Sequence, residues 1–164
     1  MSANVGIDVS KDTLEWTAAP KGHIHSCKNQ RRVIARLVKE ILEKKPTRII
    51  VESTGGYERE LVEQLVRASL AVAIVNPWRV RRFGEGMGIL AKTDTIDARL
   101  LSLYGEKANV PLRPIVQGNA RIRCDLVARR RQLIQMIVAE KARVEKAPAI
   151  VRREMRPCRG LDRR

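Results

Sequence analysis

Four carboxylates in this 164-residue chain have types and spacing suited to metal-assisted phosphodiester chemistry. Asp8 interrupts the stretch NVGIDVS, where Val5, Ile7 and Val9 alternate with Gly6, Asp8 and Ser10. That period of two predicts a strand with Asp8 on one face, a costly place for a carboxylate unless something compensates it. Glu52 closes RIIVE, a short apolar run that reads as a buried strand. Asp94 and Asp97, in KTDTIDA, stand three apart on a predicted helix and share one of its faces. Like charges so close repel, and a divalent cation reverses that cost. All four offer hard oxygen donors, which select Mg2+ (or Mn2+) over zinc. Such ions activate a nucleophilic oxygen and stabilise the leaving oxygen of an in-line phosphoryl displacement. Each acid also has a plainer reading. Asp8 could be satisfied by backbone donors, Glu52 could be a strand-end acid, and Asp94 and Asp97 could favour a helix N-terminus. Taken together, the plain readings require four separate accidents.

The elements that must position these acids follow from periodicity and turn chemistry. Strands are expected at 4–10, 13–19 and 23–28, with Pro20-Lys21-Gly22 as a turn, giving an antiparallel meander. A helix over 31–44 carries Val33, Ile34, Leu37, Val38, Ile41 and Leu42 at helical spacing, and Pro46 stops it. The strand 48–52, a helix over 58–68 and a strand over 70–75 follow. Pro77 opens a helix to about Gly84, and Gly84, Gly86 and Gly88 predict a loop. Thr93 is a good N-cap for a helix over 94–106. Three antiparallel strands and then strand–helix alternation fit an α/β fold: a ribonuclease-H-like mixed five-stranded sheet with flanking helices, strand one central beside strand four. Pro111 and Pro114 mark a linker at 111–118. One long, coiled-coil-like helix is expected over 119–147, ended by Pro148, with a basic disordered tail over 148–164. On it Ile122, Leu126, Leu133, Ile137 and Val144 form a stripe with an 11-residue repeat, the pattern of a nearly straight helix-packing seam. Arg129 and Glu140 interrupt the stripe and could pair across an antiparallel two-helix interface; equally, the stripe could pack on its own domain.

Charge points to a polyanionic partner. The net charge is +15, and residues 118–164 hold 14 Lys/Arg against 5 Asp/Glu. Such an excess draws nucleic acid and speeds encounter with it. Candidate phosphate contacts are Lys11 and Lys92 beside the proposed ligands, Arg79, Arg81 and Arg82 on the helix after Pro77, and Arg129, Arg130 and Arg131 on the long helix. Solvated surface residues are the plainer reading for the lysines, and at most two of the last three arginines face one partner. Trp78 could stack on a base or close the edge of the core, and the core is preferred. His23 and His25 could meet on one strand face, but no third ligand stands near. Cys27, Cys124 and Cys158 are far apart and odd in number, which suggests neither a disulfide framework nor a zinc site. With no bilayer-length apolar run and no signal-peptide pattern, a cytoplasmic protein and no membrane partner are expected.

The stretches VGIDVSKDTLEW, VESTGGYERELVEQL, NPWRVRRF and AKTDTIDARLL resemble the N-terminal half of insertion-sequence-110-type transposases, a family that includes the Piv and MooV DNA invertases. The resemblance covers residues 4 to about 147, and AKTDTIDARLL is its most specific part. It implies a RuvC-like Asp-Glu-Asp-Asp catalytic domain over 1–110, with the four acids falling on Asp8, Glu52, Asp94 and Asp97. It implies DNA as substrate and a homo-oligomer formed through residues 119–147. Some members use a structured guide RNA, a partner these residues leave open. Family members continue into a second domain with a serine nucleophile. None of Ser2, Ser10, Ser26, Ser53, Ser69 or Ser102 can be assigned that role, so the serine domain is expected to be absent and the gene product truncated. The expected function is thus a transposase or recombinase catalytic domain of an insertion sequence. The alternatives are a stand-alone RuvC-type junction nuclease and a non-catalytic nucleic-acid-binding fragment that dimerises with full-length transposase. An actin-like phosphotransferase would need Gly-rich phosphate loops that are missing.

Overall fold

The computed structural model describes residues 4–89, 94–108, 110–112, 114–116 and 118–154, without the side chains of 94–96, 153 and 154. The chain divides into two compact units, residues 1–114 and 115–164.

The first unit is built on the mixed sheet that the element order predicts. Its strands are β1 (Asn4–Val9), β2 (Thr13–Thr17), β3 (His25–Lys28), β4 (Arg48–Glu52) and β5 (Val72–Val75), in spatial order β3-β2-β1-β4-β5. β1 pairs antiparallel with β2 and parallel with β4, and β4 pairs parallel with β5. This is the ribonuclease-H-like arrangement, with β1 central. Helices α1 (Arg31–Glu43) and α2 (Arg59–Arg67) contact each other, and α3 (Pro77–Gly86) contacts α4 (Asp94–Lys107).

The sheet is apolar on both faces because both are covered. Ile50, Ala73 and Val75 face α3 and α4, forming a core with Val80, Leu100, Leu101 and Val110. Val5, Ile7, Val9, Leu14, Trp16, Ile49 and Val51 alternate onto the other face, where α1 and α2 bury Ile34, Leu37, Ile41, Leu61 and Leu65. Each such aliphatic side chain contributes about 1.5–3 kcal/mol by leaving water. With few aromatic rings to fill space, the core is closed by many branched aliphatics.

The most demanding contact lies between α4 and β1. A Cβ on Gly6 would run into the carbonyl oxygen of Ala98 and the backbone nitrogen of Ser102. At Gly105 a Cβ would meet Ile50 and Asn4. Gly6 thus lets helix backbone lie directly on strand backbone, and Gly105 makes room for the Ile50 and Asn4 side chains. The Ser102 hydroxyl, fully buried, donates to the Asn4 carbonyl at 2.6 Å. Ala98 and Ser102 lie over Gly6 and Ser102 and Gly105 over Asn4, so α4 runs antiparallel to β1.

Several local expectations differ from the observed elements. α3 continues through Gly84 and Gly86 instead of ending in a loop. Gly84 is buried, and a Cβ there would stand 2.8 Å from Leu100 Cδ2, so this glycine is a packing residue and not a helix breaker. β3 begins at His25, and its ring stacks on Trp16 at 4.5 Å, with His23 edge-on to it at 5.1 Å. The imidazoles are engaged in packing. Trp78 is 63% exposed and does not close the core.

The second unit contains α5 (Gly118–Lys146) and α6 (Ala149–Glu154). Pro148 ends α5 as expected, but a further helical turn follows it, so 149–154 is not a disordered tail. Residues 155–164, including Cys158, lie outside the described residues. No α5 residue is buried, and Ile122, Leu126 and Leu133 of the stripe are exposed. Glu140 pairs with Arg143 at 2.9 Å within the helix.

Candidate active site

Strands β1, β4 and β5 run parallel, so their carboxyl ends share one edge of the sheet. In open α/β sheets ligands bind at that edge. Ile7 stands opposite Val51. Asp8 and Glu52 are each the next residue along, on neighbouring strands about 4.8 Å apart. By the alternation of side chains, Asp8 shares the face of Gly6, and Glu52 shares that of Ile50; this is the face that α4 covers. Asp97 immediately precedes Ala98, one helical turn before Leu101, at the end of α4 that lies toward the carboxyl end of β1. The fold therefore brings Asp8, Glu52 and Asp97 to one edge and one face. Asp94 belongs to α4, but its side chain lies outside the described residues, as does Lys92.

The donor set is carboxylate oxygen alone, which fits a hard divalent ion by chemistry. Among the described residues, no group of three or more His, Cys, Asp or Glu side chains is close enough to hold a metal ion. Asp94 is not in that set.

Two side chains that sequence reasoning passed over organise the loops beside Asp8 and Glu52. Asn29, at the end of β3, donates one amide group to the Ser10 carbonyl at 2.9 Å and to the Tyr57 carbonyl at 3.1 Å. It ties the turn after β1 to the loop after β4. Glu58 Oε2 accepts from Gly56 N–H at 2.8 Å, from the Thr54 hydroxyl at 3.0 Å and from Thr54 N–H at 3.3 Å. These bonds fold the Gly55-Gly56 turn, whose φ values of 74° and 125° suit glycine. Burial pushes the Glu58 carboxyl up, but the backbone N–H groups and the Thr54 hydroxyl outweigh it and hold the group below its ordinary value. The spacing Thr54 to Glu58 ahead of a helix was the available signal; Asn29 had none, because its partners are remote in sequence.

The basic residues fall into three settings. Lys11 is exposed in the β1–β2 turn, which Ser10 closes through Thr13 N–H to Ser10 Oγ at 3.0 Å. Arg79, Arg81 and Arg82 are exposed on α3, which leaves the same edge after β5. Glu85 pairs with Arg82 at 3.2 Å and with Arg81 at 3.6 Å. Arg129, Arg130 and Arg131 are exposed on α5 in the second unit. No described helix is long and apolar enough to cross a membrane.

The chain is similar to two proteins named pilin gene-inverting protein, from Moraxella lacunata and Moraxella bovis, at 28% identity over 147 residues in each case. The match covers 86% of this chain and 46% of either relative, so the chain spans about half the length of the curated relatives it matches. Among solved structures, the Thermus thermophilus RuvC structure aligns with a TM-score of 0.48 and 16% identity, covering 66% of this chain and 98% of that one. The profile of a family described as transposase, of the Asp-Glu-Asp-Asp insertion-sequence-110 type, matches residues 5–147, and this chain belongs to that family.

Proposed function

We propose that this chain is the catalytic domain of a DNA transposase or recombinase, and that Asp8, Glu52, Asp94 and Asp97 hold Mg2+ (or Mn2+) at the carboxyl edge of the sheet. The reading is carried by one observation: α4 lies on β1 through Gly6, which gives Asp97 the same edge and face as Asp8 and Glu52. A bound divalent ion would supply activation of the attacking oxygen and stabilisation of the leaving oxygen. The chain's own residues do the rest. Strand pairing fixes the separation of Asp8 and Glu52, while Asn29 and Glu58 hold the loops that border them. Lys11, Arg79, Arg81 and Arg82 bind flanking phosphates, together with Lys92, and Arg129, Arg130 and Arg131 bind DNA phosphates from the second unit. Self-association through residues 119–147 uses the exposed stripe of α5. Guide-RNA pairing, a stand-alone junction nuclease and a non-catalytic binding fragment are the competing readings.

The test is Mg2+-dependent cleavage of branched DNA, with the remaining segment of a full-length relative added in trans. Asp8→Asn and Asp97→Asn should each lower cleavage by roughly 100-fold or more. Both should weaken Mn2+ binding by the chain alone while the chain still unfolds cooperatively. Variants that cut and bind Mn2+ like the wild type would refute the carboxylate assignment. Cleavage by the unsupplemented chain would favour the stand-alone nuclease.

A further inference from the structure

The chain has five aromatic side chains, and burial separates them into two sets. Trp16 is enclosed beside His25. Phe83 and Tyr104 meet edge to face at 5.2 Å and pack on the α3–α4 core. The other two, Tyr57 and Trp78, are 51% and 63% exposed. Both leave the carboxyl ends of parallel strands: Tyr57 lies in the loop after Glu52, and Trp78 comes three residues after Val75. Val75 is the register partner of Glu52. Three residues of chain reach at most about 11 Å and neighbouring strands are about 4.8 Å apart, so the Trp78 Cα lies within roughly 16 Å of that of Glu52. That is fewer than about five nucleotide steps of 3.4 Å along one strand.

The helical turn that carries the indole is also held in place. The Trp78 backbone N–H donates to Asn76 Oδ1 at 2.8 Å, and Pro77 fixes the first turn of α3. The Arg82 guanidinium stands over the ring, 5.3 Å from its centroid, and pairs with Glu85 at 3.2 Å. A large exposed ring on a capped helix, with a cation over one face, has the parts of a base-stacking platform: the opposite π face for a base and a charge for the adjoining phosphate.

We propose that Trp78, with Arg82, stacks an unpaired base of the nucleic acid whose phosphodiester sits at the carboxylate edge. The inference rests on the reading of that edge as a DNA site. Bases inside a duplex already stack on their neighbours, so the platform favours bulges, junctions and melted ends over continuous duplex.

The test is metal-free binding in EDTA, with a duplex carrying a three-nucleotide bulge, the same duplex with abasic bulge positions, and a fully paired duplex. Trp78→Ala should weaken bulge binding by about 5- to 100-fold, which corresponds to one base–aromatic stack. It should change duplex binding less than about twofold, and Trp78→Phe should retain most of the preference. The Trp78 emission, isolated as wild type minus Trp78→Phe, should be quenched by the base-bearing bulge and not by the abasic one. Equal binding of Trp78→Ala and wild type to the bulge would overturn the platform, as would equal quenching by the two bulges. A loss of self-association in Trp78→Ala with DNA binding unchanged would overturn it too, by making the indole a protein contact. Because these readouts score binding alone, Asp8→Asn should bind the bulge at least as tightly as the wild type. Cleavage surviving in Asp8→Asn would sink the carboxylate reading and leave the stacking result standing.

Discussion

The helices α4 and α5 hold their places by opposite means. Neither helix is strongly amphipathic as a whole, yet α4 lies backbone to backbone on β1 at Gly6, with Ala98, Leu101 and Ser102 fully buried. α5 is twice as long and carries a periodic apolar stripe, yet none of its residues is buried. Several of its side-chain bonds are local: Arg121 to Asp125 at 3.5 Å, Arg129 to Gln132 at 3.4 Å and Arg143 to Glu140 at 2.9 Å. Pairs of this kind are worth only a few tenths of a kcal/mol each. Periodicity therefore marks a face that some partner can cover, whereas paired glycines mark a face already in contact.

The sharpest way to break the comparison is at Gly6. Gly6→Val raises strand propensity and leaves β1 itself content, so any loss isolates the seat of α4. Because the obstructing atoms are backbone, the expected destabilisation is about 3 kcal/mol or more, read by chemical denaturation. A smaller effect is expected at Glu58. Glu58→Gln keeps the shape but weakens charge-assisted bonds to Thr54 and Gly56, which should cost about 2 kcal/mol near neutral pH. The folded carboxyl lies below its ordinary value of 4.5, so the wild type should hold the full advantage above that pH. The two proteins should converge as the pH falls through the depressed folded value; a difference that persists in stronger acid would assign the effect to packing. The smallest effect on stability belongs to α5. Replacing Arg129, Arg130 and Arg131 with Ala should shift unfolding by less than about 0.5 kcal/mol. The salt dependence of DNA binding should flatten by about 0.9 for every phosphate these arginines would otherwise neutralise, and an unchanged slope would remove this helix from the DNA surface.

Much of the frame was legible in the residues. The alternation around Asp8, the apolar run before Glu52 and the order of strands and helices were enough to predict β1 beside β4. Thr93 as an N-cap predicted the helix that carries Asp97, and the family's matched stretches implied a role for its acids. What stayed hidden depends on contacts between remote segments. Gly84 reads as a helix breaker until Leu100 is seen against it. Trp78 reads as core by its hydrophobicity, and only the position of α3 shows that the ring is left outside. Asn29 reads as an ordinary turn residue because Ser10 and Tyr57, the groups it joins, are far away along the chain. The Asp94 side chain and Lys92 lie outside the described residues, so their roles rest on the sequence and on the functional proposal.

Parallel pairing of β1 with β4 has a consequence for how such a site can vary. Asp8 and Glu52 each stand one residue past the end of the β1–β4 ladder at Ile7 and Val51, so their interval follows from main-chain hydrogen bonds that are indifferent to side-chain identity. The hairpins and the helix inserted between those strands can lengthen, shorten or acquire new surface without altering that interval. Diversification of the intervening segments is thereby uncoupled from the ruler that spaces the two acids.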